Sequence, residues 1–207
     1  MDGLNIINNE FLINFISNSI SFDTILVTKD QVEAILNNKS EGINDKIIKL
    51  VKNYVDAFLF AMDLASKKEK LTENLLKDIH ERVVKDFSVG GLYRNVDISI
   101  KGSNHTPPSY LKVYDRMGKY FNQIADENSD MYYNIAFSHL QLMKIHPFLD
   151  GNGRLARIVL NYELVLHDLK PIFVEYEKKN EYFEMLEDFK VNKNIQPFID
   201  FLKETQK

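Results

Sequence analysis

The sequence predicts an all-α fold, a helical bundle with one short β-hairpin, for three reasons. Apolar residues recur at intervals of three and four along most of the 207 residues, the period of a helix that is buried on one side. Glycine and proline, which interrupt helices, number only 8 and 5. Alternation of apolar and polar residues, the pattern of a strand, is clear at Val96-Asp97-Ile98-Ser99-Ile100.

Length and a hydrophobic content of 44% suit one domain with a substantial core. We treat residues 1–207 as this single domain, with an N-terminal helical segment, 1–40, and a core, 41–207. The first helix is predicted to end in the polar run Ser17-Asn18-Ser19, and Thr28 with Gln31 forms a capping-box pattern at the start of the second. Periodicity predicts helices over 6–20, from 28, 44–66, 72–86, from 109, 131–145, from about 153, 181–190 and 195–205, with an extended connection over 171–176.

The strand-like residues belong to a segment, 92–108, that we call the flap. Val96, Ile98 and Ile100 alternate with polar residues, and Gly102 and Ser103 provide turn chemistry. The flap is therefore predicted to be a β-hairpin over 95–106.

Composition narrows the function classes. The chain has no cysteine, which excludes disulfides and thiolate metal sites and suits a reducing compartment, so we expect a cytoplasmic protein. No apolar run approaches the roughly 18 residues of a membrane span. The net charge of −4 argues against general nucleic-acid binding. We expect no membrane or nucleic-acid partner.

Residues 146–157 bring several reactive and ligand-binding groups together in a loop that enters a helix. Gly151 and Gly153 flank Asn152, so the backbone can turn its amides inward, and the following helix directs its own free N–H groups to the same place. This arrangement predicts an anion site. Arg154 and Arg157, three residues apart on one face, can hold further phosphate oxygens.

Two more side chains complete the predicted site. Asp150 is a lone carboxylate beside the anion site, which is how proteins commonly hold Mg²⁺ with phosphate oxygens. His146 is a base available near neutral pH, able to accept a proton from an attacking hydroxyl. Each feature alone is ordinarily structural, but about eight of twelve positions act together, which favours phosphoryl or nucleotidyl transfer. His139 lacks metal-ligand spacing and is interpreted as a packed core histidine.

The same stretch resembles the signature of the Fic family, His-x-Phe-x-(Asp/Glu)-Gly-Asn-Gly-Arg-x-x-Arg, at every fixed position. The flap and the residues near Tyr182 are also similar to this family, and the resemblance covers the chain from about Ser17 onward. It implies a Fic-type bundle and an adenylyltransferase that moves AMP from ATP, with Mg²⁺, to a Ser, Thr or Tyr hydroxyl of a target protein and of the enzyme itself.

The resemblance also implies a role for each motif residue. His146 would be the general base, Asp150 the Mg²⁺ ligand and Tyr182 a residue lining the adenine pocket. Main-chain β-addition on the flap would hold the target. The remaining nucleotide-binding residues would be Gly151, Asn152, Gly153, Arg154 and Arg157, and the docking residues Val96, Ile98, Ile100, Gly102 and Ser103. Gly153 stands where the kinase branch of the family has lysine, which favours AMP transfer.

Many family members carry an inhibitory motif, (Ser/Thr)-x-x-x-Glu-(Gly/Asn), whose Glu pairs with the second motif arginine. Here Ser19 matches the first position, while Asp23 and Thr24 stand at the last two. If this degenerate motif inhibits, Asp23 is expected to pair with Arg157.

Two other functions stay open from the sequence. One is a catalytically idle module that binds a nucleotide and recruits a partner; the other is the same site using another nucleotide donor. Homo-oligomerisation is also left open, and by analogy with the family we expect a bacterial intracellular regulator or a toxin-like module.

Overall fold

The structure is a computed structural model, and it describes residues 7–23, 25–126 and 130–207. Thr24, assigned above to the last position of the inhibitory motif, lies outside these ranges. Two short 3₁₀ turns, Tyr110–Lys112 and Tyr176–Lys178, lead into the fifth and eighth helices. The helices are α1 (Asn9–Ser21), α2 (Lys29–Leu36), α3 (Asp45–Ser66), α4 (Glu73–Val84), α5 (Val113–Ile124), α6 (Met131–Ile145), α7 (Asn152–Leu166), α8 (Lys179–Asn192) and α9 (Gln196–Thr205).

Side-chain caps explain where several helices begin. Thr28 Oγ1 accepts from the Gln31 N–H at 3.2 Å while Gln31 Oε1 accepts from the Thr28 N–H at 3.0 Å, so the predicted capping box is confirmed. Asn8, Asn44 and Thr72 cap α1, α3 and α4 through their side-chain oxygens alone, each satisfying an N–H that the helix leaves unpaired.

The core is built around α7. Thirteen of its 15 residues are buried, because α3, α4 and α6 pack against it and α1 closes the remaining side. A helix surrounded in this way needs apolar residues on nearly every face, and α7 supplies them except at a few polar positions. Those polar positions are the motif arginines, Asn152, Asn161 and Glu163. The first turn of α7 is therefore held rigidly from several directions.

Helix α1 ends one residue beyond the predicted range 6–20, with the polar run Ser17-Asn18-Ser19 inside its last turns. The helix continues to Ser21, and this run is buried. Its side chains are not solvated, since Ser17 bonds the Ile13 carbonyl and Asn18 accepts from the Tyr176 N–H at 2.8 Å. A polar run usually signals a helix end, but here Ser19 accepts from Arg157 of α7 and Asn18 accepts from Tyr176.

The predicted β-hairpin is also corrected, because the described residues contain no strand. Residues 95–108 form an irregular chain with a turn at 101–102, closed by the bond from Ser103 N–H to the Ile100 carbonyl. Apart from this turn bond, no backbone hydrogen bond joins the two arms of this described segment. The second arm is attached to α8 instead, where Ser103 Oγ and Asn104 N–H both donate to the Glu187 carboxylate at 2.7 and 2.6 Å.

Among the residues that the structure describes, no helix combines the length and apolarity needed to cross a membrane.

Candidate active site

The loop between α6 and α7 is bent by two left-handed residues. His146 ends α6 at φ 51°, and Gly151 precedes α7 at φ 74°. A Cβ on Gly151 would lie 2.6 Å from Val84 Cγ1, so both the backbone conformation and the space require glycine. Asn152 closes the loop, because its side chain accepts from the Phe148 N–H at 2.9 Å and donates to the Phe148 carbonyl at 2.8 Å.

His146 is held as a neutral imidazole. Burial lowers its pKa to about 4, and the Met143 carbonyl opposes that shift only in part. Nδ1 is buried without a hydrogen bond of ordinary geometry among the described residues, which leaves Nε2 as the nitrogen available to a substrate. A neutral histidine facing a cavity can accept a proton from a hydroxyl.

Asp150 lies on the open side of the loop, with its side chain 55% exposed. Its Oδ1 accepts from the Gly151 N–H at 2.7 Å, and its Oδ2 lies 3.3 Å from Arg154 Nη2. The described residues contain no group of three or more His, Cys, Asp or Glu that could enclose a metal ion. A single exposed carboxylate fits Mg²⁺ only where substrate phosphates and waters complete the coordination.

The two motif arginines are both buried, but they have different partners. Arg154 Nε lies 2.8 Å from Asp23 Oδ2, an ion pair whose approach is off the N–H axis. Arg157 donates from Nε to Ser19 Oγ at 2.5 Å and from Nη2 to the Ser19 carbonyl at 2.7 Å, and it lies over the Phe22 ring. Asp23 approaches Arg157 only at 4.0 Å. The main ion pair of Asp23 is thus with Arg154, not with Arg157 as the inhibitory pattern implies.

Ser19 is part of a buried chain of hydrogen bonds whose direction can be assigned. Tyr54 Oη donates to the Arg154 carbonyl at 3.1 Å, because a carbonyl can only accept. The Ser19 hydroxyl, 2.6 Å away, must then donate to Tyr54 while accepting from Arg157. Burial raises the pKa of Tyr54 to about 12, so this hydroxyl keeps its proton. The chain joins α1, α3 and α7 beneath the site.

His80 on α4 supports the loop between α6 and α7. Its Nδ1 accepts from the Gly91 N–H at 3.1 Å, so Nε2 carries the proton and donates to the Asp150 carbonyl at 2.9 Å. The ring stacks on Phe148 with centroids 3.6 Å apart. Burial lowers the pKa of His80 to about 4, which keeps this tautomer neutral at pH 7.

Arg94 links the loop to both ends of the flap. Its side chain is fully buried and donates to the His146 carbonyl at 3.0 Å, to the Val96 carbonyl at 2.9 Å and to the Pro108 carbonyl. Its own N–H donates to the Pro147 carbonyl at 2.9 Å. The sequence offered a signal here, since Arg94 lies in the flap stretch that resembles the Fic family, whereas nothing in the sequence distinguishes His80.

Two cavities meet at His146 and Asp150. The smaller, about 180 Å³, contains the predicted phosphate site, and its lining is Phe22, Asp23, Met143, His146, Leu149, Asp150, Gly151, Asn152, Gly153, Arg157 and Phe183. The larger, about 590 Å³, extends toward the flap through Ser99, Ile100 and Lys101 and reaches Lys46 and Arg154. One base therefore faces a site for an anion and a site beside the flap.

Tyr182 does not reach the smaller cavity. It is fully buried, and its hydroxyl lies 2.8 Å from His139 Nε2. His139 donates from Nδ1 to the Ala156 carbonyl at 2.9 Å and stacks on Phe198, as its interpretation as a packed core histidine requires. Phe183, the next residue, is 40% exposed and lines the cavity instead.

The predicted docking residues of the flap differ in exposure. Val96 is 48% exposed, whereas Ile98 is half-buried.

Comparison with curated proteins places the motif in a known family. Residues 70–164 match the model of the Fic/DOC family. The chain is 30% identical over 144 residues to protein adenylyltransferase Fic of Nematostella vectensis, which covers 67% of this chain and 33% of the relative. It is 26% identical over 213 residues to the Culex quinquefasciatus protein of the same name, covering 97% and 41%. The chain thus spans about a third to two fifths of the length of these relatives.

Solved structures show the same fold. A Fic domain containing signaling protein from Bacteroides thetaiotaomicron has a TM-score of 0.86 at 22% identity, covering 98% of this chain and 85% of that one. Fic-1 from C. elegans has a TM-score of 0.85 at 21% identity, covering 98% and 62%. The match of residues 70–164 to the family model and the 30% identity to the Nematostella vectensis protein show that the chain belongs to the Fic/DOC family.

Proposed function

We propose that this chain is a protein adenylyltransferase that moves AMP from ATP to a hydroxyl side chain of a target protein. The observation that carries the proposal is the convergence of His146, Asp150 and the 151–153 turn on one cavity, with Arg157 at its edge. The relatives named protein adenylyltransferase support it.

The reaction follows from this placement. The target hydroxyl enters beside the flap and its proton passes to Nε2 of His146 as its oxygen forms a bond to the α-phosphorus. The bond from that phosphorus to the bridging oxygen of the β-phosphate breaks, and pyrophosphate leaves. The N–H groups at the start of α7 and the guanidinium of Arg157 stabilise the charge on the phosphate oxygens.

Asp150 is the residue that would hold Mg²⁺, through the carboxylate face that is open to the cavity. The ion would neutralise phosphate charge and orient the leaving pyrophosphate. The contact of Asp150 with Arg154 is long at 3.3 Å, so the carboxylate can change partner without breaking a strong bond.

The flap is proposed to hold the target by main-chain pairing. Residues 97–100 lie outside any helix, and Ile100 lines the same cavity as His146. An extended segment added along them would bring one of its side chains toward the base.

The site is further proposed to be inhibited in the state described. Phe22 and Asp23 line the smaller cavity, whose volume of about 180 Å³ is below the roughly 300–1,000 Å³ usual for small-molecule sites. The Arg157 guanidinium donates to Ser19 and lies over the Phe22 ring, and it must leave these contacts to bind a phosphate. Opening therefore requires the end of α1 to move.

Incubation with ATP labelled on its α-phosphate tests the function directly. We expect label on protein in the presence of Mg²⁺, and loss of about 10²–10⁴-fold in His146→Ala because the general base is removed. His167→Ala, an exposed histidine at the far end of α7, is the matched control and should retain activity.

The same assay distinguishes the alternatives. Transfer of label from the γ-phosphate would identify a kinase and contradict the proposal. Tight ATP binding by calorimetry with no transfer would identify an idle module. A panel of labelled nucleotides would reveal a different donor.

A further inference from the structure

A third cavity, of about 620 Å³, is lined partly by the flap and shares no lining residue with the phosphate site. Its floor is the last two turns of α6, including Gln141, Lys144 and Ile145, which directly precede His146. The flap residues His105 and Pro108 form one rim. His105 Nε2 donates to the Lys144 carbonyl at 3.0 Å, so this rim is attached to α6. We call this cavity the α6 groove.

The α6 groove combines aromatic walls with positive charge. Tyr133, Phe137 and Phe189 supply apolar surface, and the rings of Tyr133 and Phe137 stack with centroids 6.1 Å apart. Arg116, Lys144 and Lys193 come from three different helix regions to the same cavity. Within the described part of the chain, none of these three cations forms an ion pair.

The acidic residue Glu187, on the same helix as Phe189, already has hydrogen-bond partners. Glu187 accepts from Ser103 and Asn104 of the flap, and its remaining contact is with Lys190 at 3.9 Å. Lys144 has its Nζ 5.3 Å from the Phe189 ring centroid, and burial together with Lys193 and Arg116 lowers its pKa. Three cations that repel one another at an apolar cavity, in a chain of net charge −4, are stabilised by an external anion.

We propose that the α6 groove is a docking site for an acidic segment of the target protein, with an aromatic or large aliphatic residue between carboxylates. The apolar residue would pack on Phe137 and Phe189, while its acidic neighbours would pair with Arg116, Lys144 and Lys193. His105 and Pro108 of the flap form one rim of the groove, so a segment bound in it would lie beside the element proposed to hold the target. This inference rests on the proposed function, because the occupant is a protein substrate.

Binding can be tested without nucleotide, by fluorescence anisotropy with synthetic peptides. The probe is a fluorescein-labelled peptide with phenylalanine between two pairs of glutamates. A peptide with lysines for the glutamates and one with glycine for the phenylalanine are its counterparts. We expect the acidic aromatic peptide to bind best, with affinity falling as salt rises from about 0.05 to 0.5 M because the cations are at the surface.

Charge reversal locates the site. The triple variant Arg116→Glu/Lys144→Glu/Lys193→Glu should lose at least about tenfold in affinity, equivalent to about 1.4 kcal/mol. The matched control is Lys29→Glu/Lys39→Glu/Lys49→Glu, which changes net charge equally at exposed positions that do not line the α6 groove. Should the triple variant lose its helical circular dichroism, Arg116→Glu/Lys193→Glu, at two exposed positions, replaces it with a smaller expected loss of several-fold.

Equal binding by the folded variant and the wild type would overturn the proposal, and so would preference for the lysine peptide or for a labelled oligonucleotide. The result is separable from the proposed function. If AMP transfer fails while charge reversal abolishes peptide binding, the docking site stands. If transfer to protein occurs but charge reversal changes neither binding nor transfer, the docking site is excluded.

Discussion

The motif loop, residues 146–152, and the flap meet at His146 but are built in opposite ways. The loop is closed on itself by Asn152 and supported from outside by His80 and Arg94. Between its own backbone groups the flap, which is fully described, has one hydrogen bond, and side chains attach its second arm to α6 and α8. A catalytic loop must keep its geometry before substrate arrives, whereas a docking segment must keep unpaired backbone groups for its partner. The difference in support therefore matches the difference in proposed role.

Glycine-to-alanine substitution should separate the two regions most clearly. Gly151 and Gly102 both have positive φ, at 74° and 79°, but an added Cβ meets Val84 at 2.6 Å in the first case and nothing within 4 Å in the second. We expect Gly151→Ala to reduce the free energy of unfolding by about 2–5 kcal/mol, from backbone strain plus overpacking. Gly102→Ala should cost only the strain, about 1–2 kcal/mol. Urea denaturation measures both, and equal costs would show that the loop is not tightly packed.

Removing Arg94 should be nearly as damaging. Arg94→Gln leaves partly buried carbonyls at His146, Val96 and Pro108 without their donor, and we expect a loss of about 2–4 kcal/mol in the free energy of unfolding together with lower transfer. Arg82→Gln is the control, because its ion pair with Asp56 is partly exposed and should contribute less than about 1 kcal/mol. A cost for Arg94→Gln as small as that of the control would contradict its anchoring role.

Acidification should destabilise the loop through its histidines. The folded-state pKa of His80 is about 4, below an unfolded value of roughly 6.5. The unfolded chain therefore binds the extra proton between these values, so stability is full above pH 6.5 and falls progressively toward pH 4. We expect His80 to account for about 2 kcal/mol of loss at pH 5.

Thermal unfolding of wild type and His80→Gln from pH 7.5 to 5 measures this contribution. The variant should show the weaker pH dependence, and parallel curves would exclude His80 as its source. Glu163 acts in the opposite sense, since burial raises its pKa to about 7 and the folded state takes up a proton as pH falls, but it is present in both proteins.

Proline in the flap should affect transfer rather than stability. Ser99 is exposed, and no hydrogen bond of its N–H is found among the described residues. Ser99→Pro removes a donor that main-chain docking could use, so we expect transfer to a protein target to fall about tenfold when that bond is lost. ATP binding measured by calorimetry should be unchanged. Unaltered transfer would argue against docking along this edge.

The smallest change is expected at the end of α1. Ser19 contacts Arg157 at 2.5 Å whereas Asp23 approaches it at 4.0 Å, so Ser19→Ala should raise self-modification more than Asp23→Gly. Each loss of a contact worth about 0.5–1.5 kcal/mol corresponds to a gain of a few-fold. Labelled ATP measures both variants. A large gain in Asp23→Gly alone would show instead that the carboxylate is the full inhibitor.

Local sequence was enough to predict the helices and the motif loop. Capping at Thr28, the period along α6 and the glycines beside Asn152 all depend on interactions within a few residues, and these the structure bears out. Two local patterns did not reveal the surroundings of their residues, for one reason. The polar run of α1 and the alternating residues of the flap have partners that are distant in the chain, and no neighbouring residue reveals them.

What the sequence determined by itself is thus the helical framework, the family and the chemical groups at residues 146–157. The tertiary structure alone decided how those groups are held: His80 and Arg94 beneath the loop, Ser19 rather than Asp23 against Arg157, and a flap without a paired strand. The physical reason is the separation in sequence over which each kind of interaction acts. Helix period and caps act over three or four residues, whereas a buried charge takes its partner from whichever segment packing brings within about 3 Å.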